Sequence, residues 1–270
     1  MKTRRYFLSK TLVTLAGAAL SPSLLTAHHV EEPLPLPTLQ GRKILFTYGG
    51  WAGHDPETNK DYFVPWLEEQ GATVVSANHT APYADEALMD TIDLVIQSIT
   101  MSNITREEEK GLLRAISNGT GMVGWHGGLC DSFRSSTAYQ YMTGGQFVAH
   151  PGGIVDYQVD IVNKKDAINQ GLSSFQMKSE QYYMHVDPNV KVLATTKFSG
   201  ANDPWIEGCV VPVAWKKMFN NGRVFYSSLG HELSHLIDKP DALAMIQRGI
   251  TWASASKYEP VEKWINPVYY

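Results

Sequence analysis

Cysteine is scarce, with only Cys130 and Cys209 in 270 residues. Two thiols cannot build a disulfide framework; one bridge between them is open but not demanded, and two buried thiols is the plainer expectation. Basic residues are also short, 23 Lys and Arg against 27 Asp and Glu, which disfavours a nucleic-acid partner. Long apolar runs are missing. The chargeless stretch at residues 11–25 falls short of the roughly 20 residues of a bilayer span and is broken by Gly17 and Pro22, so no stable membrane anchor is expected. There is no internal repeat, and no G-x-S-x-G to mount a serine nucleophile.

What is present begins with MKTRRYFLSK, paired arginines followed by an aromatic, then the apolar stretch and the small residues before His28. This pattern reads as a twin-arginine export signal over residues 1–27, which predicts a periplasmic or otherwise extracytoplasmic protein. Its removal takes four basic side chains and leaves 19 against 27, a net charge of about −8. The remainder suits one α/β domain with a sizeable core. Residues 28–41, with three prolines and no period, are expected to be a linker, residues 42–256 the domain, and residues 257–270 a tail along the surface. The sequence leaves a homo-oligomer open.

Within the domain, short apolar runs alternate with helical patterns. Strands are expected at 43–48, 72–76, 93–98 and 121–125, and helices at 59–70 and 105–118. The second helix is marked by a capping box, Thr105 with Glu108, acidic residues in its first turn and Gly119 beyond its end. Near-continuous apolar strands alternating with helices predict a three-layer α/β fold around a mostly parallel sheet. The second half is richer in strand, at 153–162, 180–184, 190–196, 210–215 and 223–228. Asn220–Asn221–Gly222 forms a hairpin turn, and a closing helix spans 241–254.

In a parallel sheet of this kind ligands bind beyond the carboxyl ends of the strands. The fourth strand ends in Gly124-Trp125-His126-Gly127-Gly128, an imidazole at a glycine turn where amidotransferases and hydrolases mount a nucleophile. A histidine there can serve as a general base or a metal ligand. Other strand ends carry polar loops. YGGWAGHD offers Trp51 as a stacking face and His54 and Asp55 as polar groups, GGQFVAHPGG supplies His150, SEQYYMHVDP supplies Glu180, Tyr182 and His185, and FYSSLGHELSH supplies His231. The catalytic set is read as His126, Glu180 and His231. The substrate-binding set is Trp51, His54, Asp131, His150, Tyr182 and His185. The residues His231-Glu232-Leu233-Ser234-His235 match H-E-x-x-H, but the match follows a strand and is cut short by Asp238-Lys239-Pro240, so it reads as coincidence rather than a zincin helix.

Taken together, GWHGG at 124–128, GGQFVAHPGG at 144–153, SEQYYMHVDP at 179–188, VVPVAWKK at 210–217, GRVFYSSLGHE at 222–232 and RGITWA at 248–253 resemble the ThuA-like family, named for trehalose utilisation. The resemblance implies a class I glutamine amidotransferase-like, flavodoxin-like fold in which the nucleophilic Cys of the elbow has become His126. Glutamine hydrolysis is thereby excluded. It further implies a small-molecule carbohydrate as the partner, a sugar or a 3-keto-glycoside, handled by histidine acid/base chemistry as an isomerisation, elimination or hydrolysis. Two alternatives stand beside this: a non-catalytic carbohydrate-binding domain, and a glycoside hydrolase dependent on a divalent metal such as zinc.

Overall fold

A computed structural model describes residues 35–261. The expected export signal, the start of the expected linker and the end of the tail lie outside the described residues.

The first half alternates as anticipated: β1 (Lys43–Gly50), α1 (Pro56–Glu69), β2 (Thr73–Ala77), α2 (Glu86–Thr91), β3 (Leu94–Thr100), α3 (Arg106–Ser117) and β4 (Gly121–Trp125). Each β1 and β3 side chain alternates between two buried clusters. Ile44, Phe46, Leu94 and Ile96 face α1 and the long C-terminal helix α7 (Pro240–Ser254), whereas Leu45 and Val95 face α2 and α3. Both faces of these strands are therefore covered, which is why their sequences read as continuous apolar runs. Thr105 and Glu108 make the reciprocal bonds of the capping box at the start of α3. α1 begins three residues earlier than expected because Pro56 takes its first position, where a missing N–H costs nothing, and Pro65 consequently lies well inside the helix.

The second half contains α4 (Gly127–Cys130), α5 (Thr137–Thr143), β5 (Gly145–Ala149), β6 (Ile154–Ile161), β7 (Phe175–Glu180), β8 (Tyr183–Val186), β9 (Lys191–Lys197), β10 (Val210–Phe219), β11 (Gly222–Ser227) and α6 (Leu233–Ile237). Nine strands form one sheet in the order β2-β1-β3-β4-β11-β10-β9-β6-β7, and β5 pairs with β8 in a separate ribbon. The first five places, β2-β1-β3-β4-β11, are mutually parallel and follow the flavodoxin-like order, whose ligand crevice lies at the β1/β3 switch point. The remainder is antiparallel.

Three expectations need correction. The strand placed at 180–184 is a junction: β7 ends at Glu180, and β8 starts at Tyr183 in a different sheet. The loop placed at 144–153 contains β5. Part of the expected linker is packed rather than free, since Leu39 is buried in the core and Gly41 donates its N–H to the Gly71 carbonyl. Cys130 and Cys209 are unpaired, and only Cys130 is fully buried.

The β6–β7 hairpin matters for the site. It ladders with the sheet near its closed end, where Asp160 and Ile161 pair with Thr195 and Ala194 of β9. Register shifts near Pro212 and Ala214 of β10 add bend between the two halves of the sheet. The open end of the hairpin, which carries Glu180, thus reaches back over the carboxyl ends of the parallel strands.

Candidate metal centre

Four chain segments converge beyond those carboxyl ends. After β1, Gly49 and Gly50 both take positive φ, and a Cβ on Gly50 would sit 2.0 Å from the Thr100 carbonyl oxygen, so only glycine lets the chain pass β3 so closely. A short turn, Ala52–His54, then places His54 over Thr100, and its Nδ1 lies 3.0 Å from the Thr100 hydroxyl. After β4, His126 takes φ 49° and ψ −135°, a conformation that L residues avoid at about 1–3 kcal/mol. Its main chain is over-determined: the N–H donates to the Ser227 carbonyl at 2.6 Å, and the carbonyl accepts from the Tyr226 hydroxyl at 3.0 Å. Gly127 follows because a Cβ there would lie 2.5 Å from the His54 ring. After β11, Gly230 at φ 91° turns the chain to present His231. The fourth contributor is Glu180.

Beneath the elbow, Gln97 locks the turn in place. It is fully buried, and its amide nitrogen donates to the Gly128 carbonyl at 3.2 Å, the Ser132 hydroxyl at 2.8 Å and the Tyr139 hydroxyl at 2.6 Å, while its oxygen accepts from Tyr83 at 2.8 Å. Such a satisfied network rigidifies the elbow.

One ligand atom from each of His54, His126, Glu180 and His231 lies within 4.8 Å of all the others. Glu180 Oε2 is the hub, 3.1 Å from His126 Nε2, 3.3 Å from His231 Nδ1 and 3.9 Å from His54 Nε2. Burial opposes ionisation of Glu180, but the imidazoles of His126 and His231 beside it outweigh that and hold its carboxyl well below the usual carboxylate range. Burial lowers His126, and burial with the neighbouring His126 and His231 takes His54 down to about 3. His231, nearer to solvent, is raised, chiefly by Glu180.

The hydrogen bonds test whether this set fits a cation. His126 Nδ1 lies 2.9 Å from the Ser228 carbonyl oxygen, an acceptor only, so that nitrogen carries the proton. Burial keeps the ring neutral, which leaves the Nε2 lone pair facing a carboxylate oxygen. Two acceptors 3.1 Å apart repel unless a positive charge lies between them. His231 Nδ1 is buried 3.3 Å from the same Glu180 oxygen, so once this ring gives up its proton it too turns a lone pair toward the carboxylate. The Ser228 carbonyl and Thr100 hydroxyl behind the rings are the outer partners that orient metal-ligating histidines. The donor set therefore suits a divalent metal ion.

The other expected site residues divide. His150 stands at the rim, its Nε2 3.7 Å from Glu180 Oε1, and outside the ligand set. Tyr182 is buried with its ring 4.1 Å from that of His126, and Phe147, which drew no attention in the sequence, backs it at 4.5 Å. Trp51 is 46% exposed, its ring at 4.7 Å from His54 and 6.4 Å from His231. Asp131 is buried and held by Arg134 through paired bonds of 2.6 and 2.9 Å, so it anchors the helix turn after the elbow and offers no free carboxylate. His185 is not brought to the centre. On β8 it alternates with buried Met184 and points to the exposed face opposite Gln146. His235 bonds the Ser179 hydroxyl at 3.0 Å and stays outside the ligand set, so the H-E-x-x-H match is indeed coincidental. Thr100 and Ser228 were not foreseen, since a hydroxyl and a carbonyl behind a ligand leave no sequence motif.

The ThuA family model, described as trehalose utilisation, matches residues 43–253. The chain belongs to the ThuA family. Among solved structures, a ThuA-like protein from Bacteroides uniformis ATCC 8492 is similar at 18% identity and a TM-score of 0.65, covering 82% of this chain and 93% of that one. A ThuA-like protein from Parabacteroides merdae ATCC 43184 is similar at 17% identity and a TM-score of 0.65, covering 84% and 93%. A cytoplasmic protein of Salmonella typhimurium LT2 is similar at 12% identity and a TM-score of 0.55, covering 82% and 100%. These likenesses establish that the ThuA fold is shared. No match is found among the curated proteins. The family model spans all four segments that supply His54, His126, Glu180 and His231, so the ThuA region contains the whole centre.

Proposed function

We propose that this ThuA-family protein is a divalent-metal-dependent enzyme acting on a carbohydrate. The observation that carries the reading is the His126 ring, fixed by the Ser228 carbonyl so that a bare lone pair confronts the Glu180 carboxylate. With His126 1% exposed, its Nδ1 committed to Ser228 and its Nε2 turned to Glu180, a substrate proton has no access to it, so its part is that of a ligand rather than a general base. A divalent cation held by His54, His126, Glu180 and His231 supplies Lewis-acid polarisation of a sugar oxygen and acidification of water. With four protein donors present, an ion that accepts further ligands would leave room for a substrate oxygen or a water.

The chain's own groups supply the rest. Trp51 offers an exposed ring for stacking against a sugar face. Tyr182 and Phe147 form an apolar wall behind His126 that excludes water. To His150, an imidazole at the rim beside Glu180 and outside the ligand set, we assign the movement of a proton to or from a bound substrate. The twin-arginine pattern in residues 1–27 supports an exported enzyme, and fractionation of expressing cells into cytoplasm and periplasm checks it.

The test of function is elemental analysis of protein purified without chelators, followed by mass spectrometry of products from a panel of ordinary and 3-keto glycosides, before and after chelator treatment. About one metal per chain and a conversion abolished by the chelator and restored by metal are expected. Sugar binding without turnover would instead make the protein a carbohydrate-binding module, and a chain that takes up no metal would remove the centre.

A further inference from the structure

A cavity of about 360 Å³ opens at the carboxyl ends of β1 and β2, lined by Tyr48, Asp55, Glu57, Thr58 and Asn78 with the backbone of Gly49 and Gly50. Ligand cavities run from about 300 to 1,000 Å³, so this one suits a single small ring. It is distinct from the metal centre, none of whose four residues lines it. The two adjoin through one loop. Trp51 and His54 lie between lining residues Gly50, Ala52 and Asp55, and the Trp51 ring stands edge-on to His54.

Asp55 shows that the cavity is chemically equipped. It occupies the position before α1 where an aspartate ordinarily accepts a bond from the first helical turn, as Asp85 does from Leu88 N–H at 3.0 Å before α2. Asp55 instead takes a left-handed conformation, φ 47° and ψ 46°, and makes no capping bond. Its carboxylate is thereby left with open acceptor positions on the cavity wall. With Glu57 it places two carboxylates in the lining, which repel an anion despite the positive end of the α1 dipole. Such a wall accepts the hydroxyl donors of a ligand, with the Asn78 amide and Thr58 hydroxyl as further partners and the Tyr48 ring as an apolar surface.

We infer that this cavity is the subsite for the second ring of a disaccharide or glycoside whose reacting ring lies at the metal centre, with Trp51 between the two. The inference rests on the carbohydrate reading above, which supplies the neutral hydroxyl-bearing ligand, and narrows its substrate to a molecule of at least two rings.

The experiment is calorimetric titration of the full chain with glucose and, separately, with trehalose, maltose and cellobiose, for the wild type and for the double variant Glu57→Ala/Asn78→Ala, with metal content measured on the same samples. Both substituted residues are exposed, so folding is preserved. At least one disaccharide is expected to bind about tenfold more tightly than glucose, and the double variant is expected to lose that advantage while its affinity for glucose holds. Equal affinity for one and two rings in the wild type, an equal loss for both in the variant, unchanged disaccharide affinity in the variant, or binding of none of the four sugars would each overturn the subsite. Wild-type protein that prefers disaccharides yet contains and takes up no metal would refute the metal-dependent reading and leave the subsite standing.

Discussion

His126 Nε2 stands 3.1 Å from Glu180 Oε2, although the strands that deliver them, β4 and β7, are five places apart in one sheet. At about 4.8 Å per strand a flat sheet would hold them roughly 24 Å apart. The contact exists because the β6–β7 hairpin ladders with β9 near its closed end and its open end, which carries Glu180, folds over the parallel strands. The carboxylate of the centre is therefore a property of the antiparallel half, and the imidazoles are a property of the parallel half.

Exchanging that carboxylate for an amide separates ligation from folding. In Glu180→Gln the side-chain NH2 can donate to the bare His126 Nε2, so the metal-free protein is expected to melt within a few degrees of wild type. Bound metal, measured by elemental analysis, should fall below about a tenth of an equivalent, because the one anionic ligand is gone. Full metal occupancy in this variant would remove Glu180 from the ligand set.

The strained backbone at His126 gives a second prediction. Glycine accepts φ 49° without a Cβ clash, and alanine does not. His126→Gly and His126→Ala should both lose metal and turnover, with the glycine variant more stable than the alanine variant by about 1 kcal/mol in urea unfolding. A more stable alanine variant would mean that the elbow is relaxed.

Thr100 acts behind His54. Thr100→Val keeps the shape and removes the hydroxyl 3.0 Å from Nδ1. Loss of such an outer partner typically weakens metal binding by about 10–100-fold, which competition with a chelating dye would measure. Unchanged affinity would show that the His54 ring is oriented by packing alone.

Metal uptake should depend on pH through one imidazole. His54, down to about 3, and His126, lowered by burial, are already neutral near pH 7, whereas His231 is raised above its ordinary 6.5 by Glu180. Its proton must leave before the ring can ligate, so affinity is lost as pH falls through the His231 pKa and is fully present above it. The expected slope below that pKa is about tenfold per pH unit, one proton per metal. A slope corresponding to two or three protons would show that His54 and His126 are charged in the metal-free protein.

Much of the parallel half was legible in the sequence because its signals are local. The capping box of α3 and the strand that stops at His126 depend on neighbours a few residues apart. The histidine-bearing loops could be gathered from topology alone, since parallel strands send their carboxyl ends to one side. His185 misled for an equally physical reason: it sits among site residues in sequence, but the two-residue period of β8 buries Met184 and turns its neighbour outward. Glu180 was recognisable as a candidate without any indication of how it reaches His126, because the swing of a hairpin is set by tertiary packing. The unused capping position of Asp55 was hidden altogether, since an aspartate before a helix ordinarily announces the opposite.

The four ligands are scattered along the chain from residue 54 to residue 231 and meet only when both halves of the sheet have closed. No short segment holds more than one of them, so nascent or unfolded polypeptide has little grip on an ion, and loading must follow assembly rather than guide it. On the export proposed above, the protein would cross the membrane carrying whichever cation was available where it was made, and the supply in that compartment, more than in the one where it works, would decide which metal it uses.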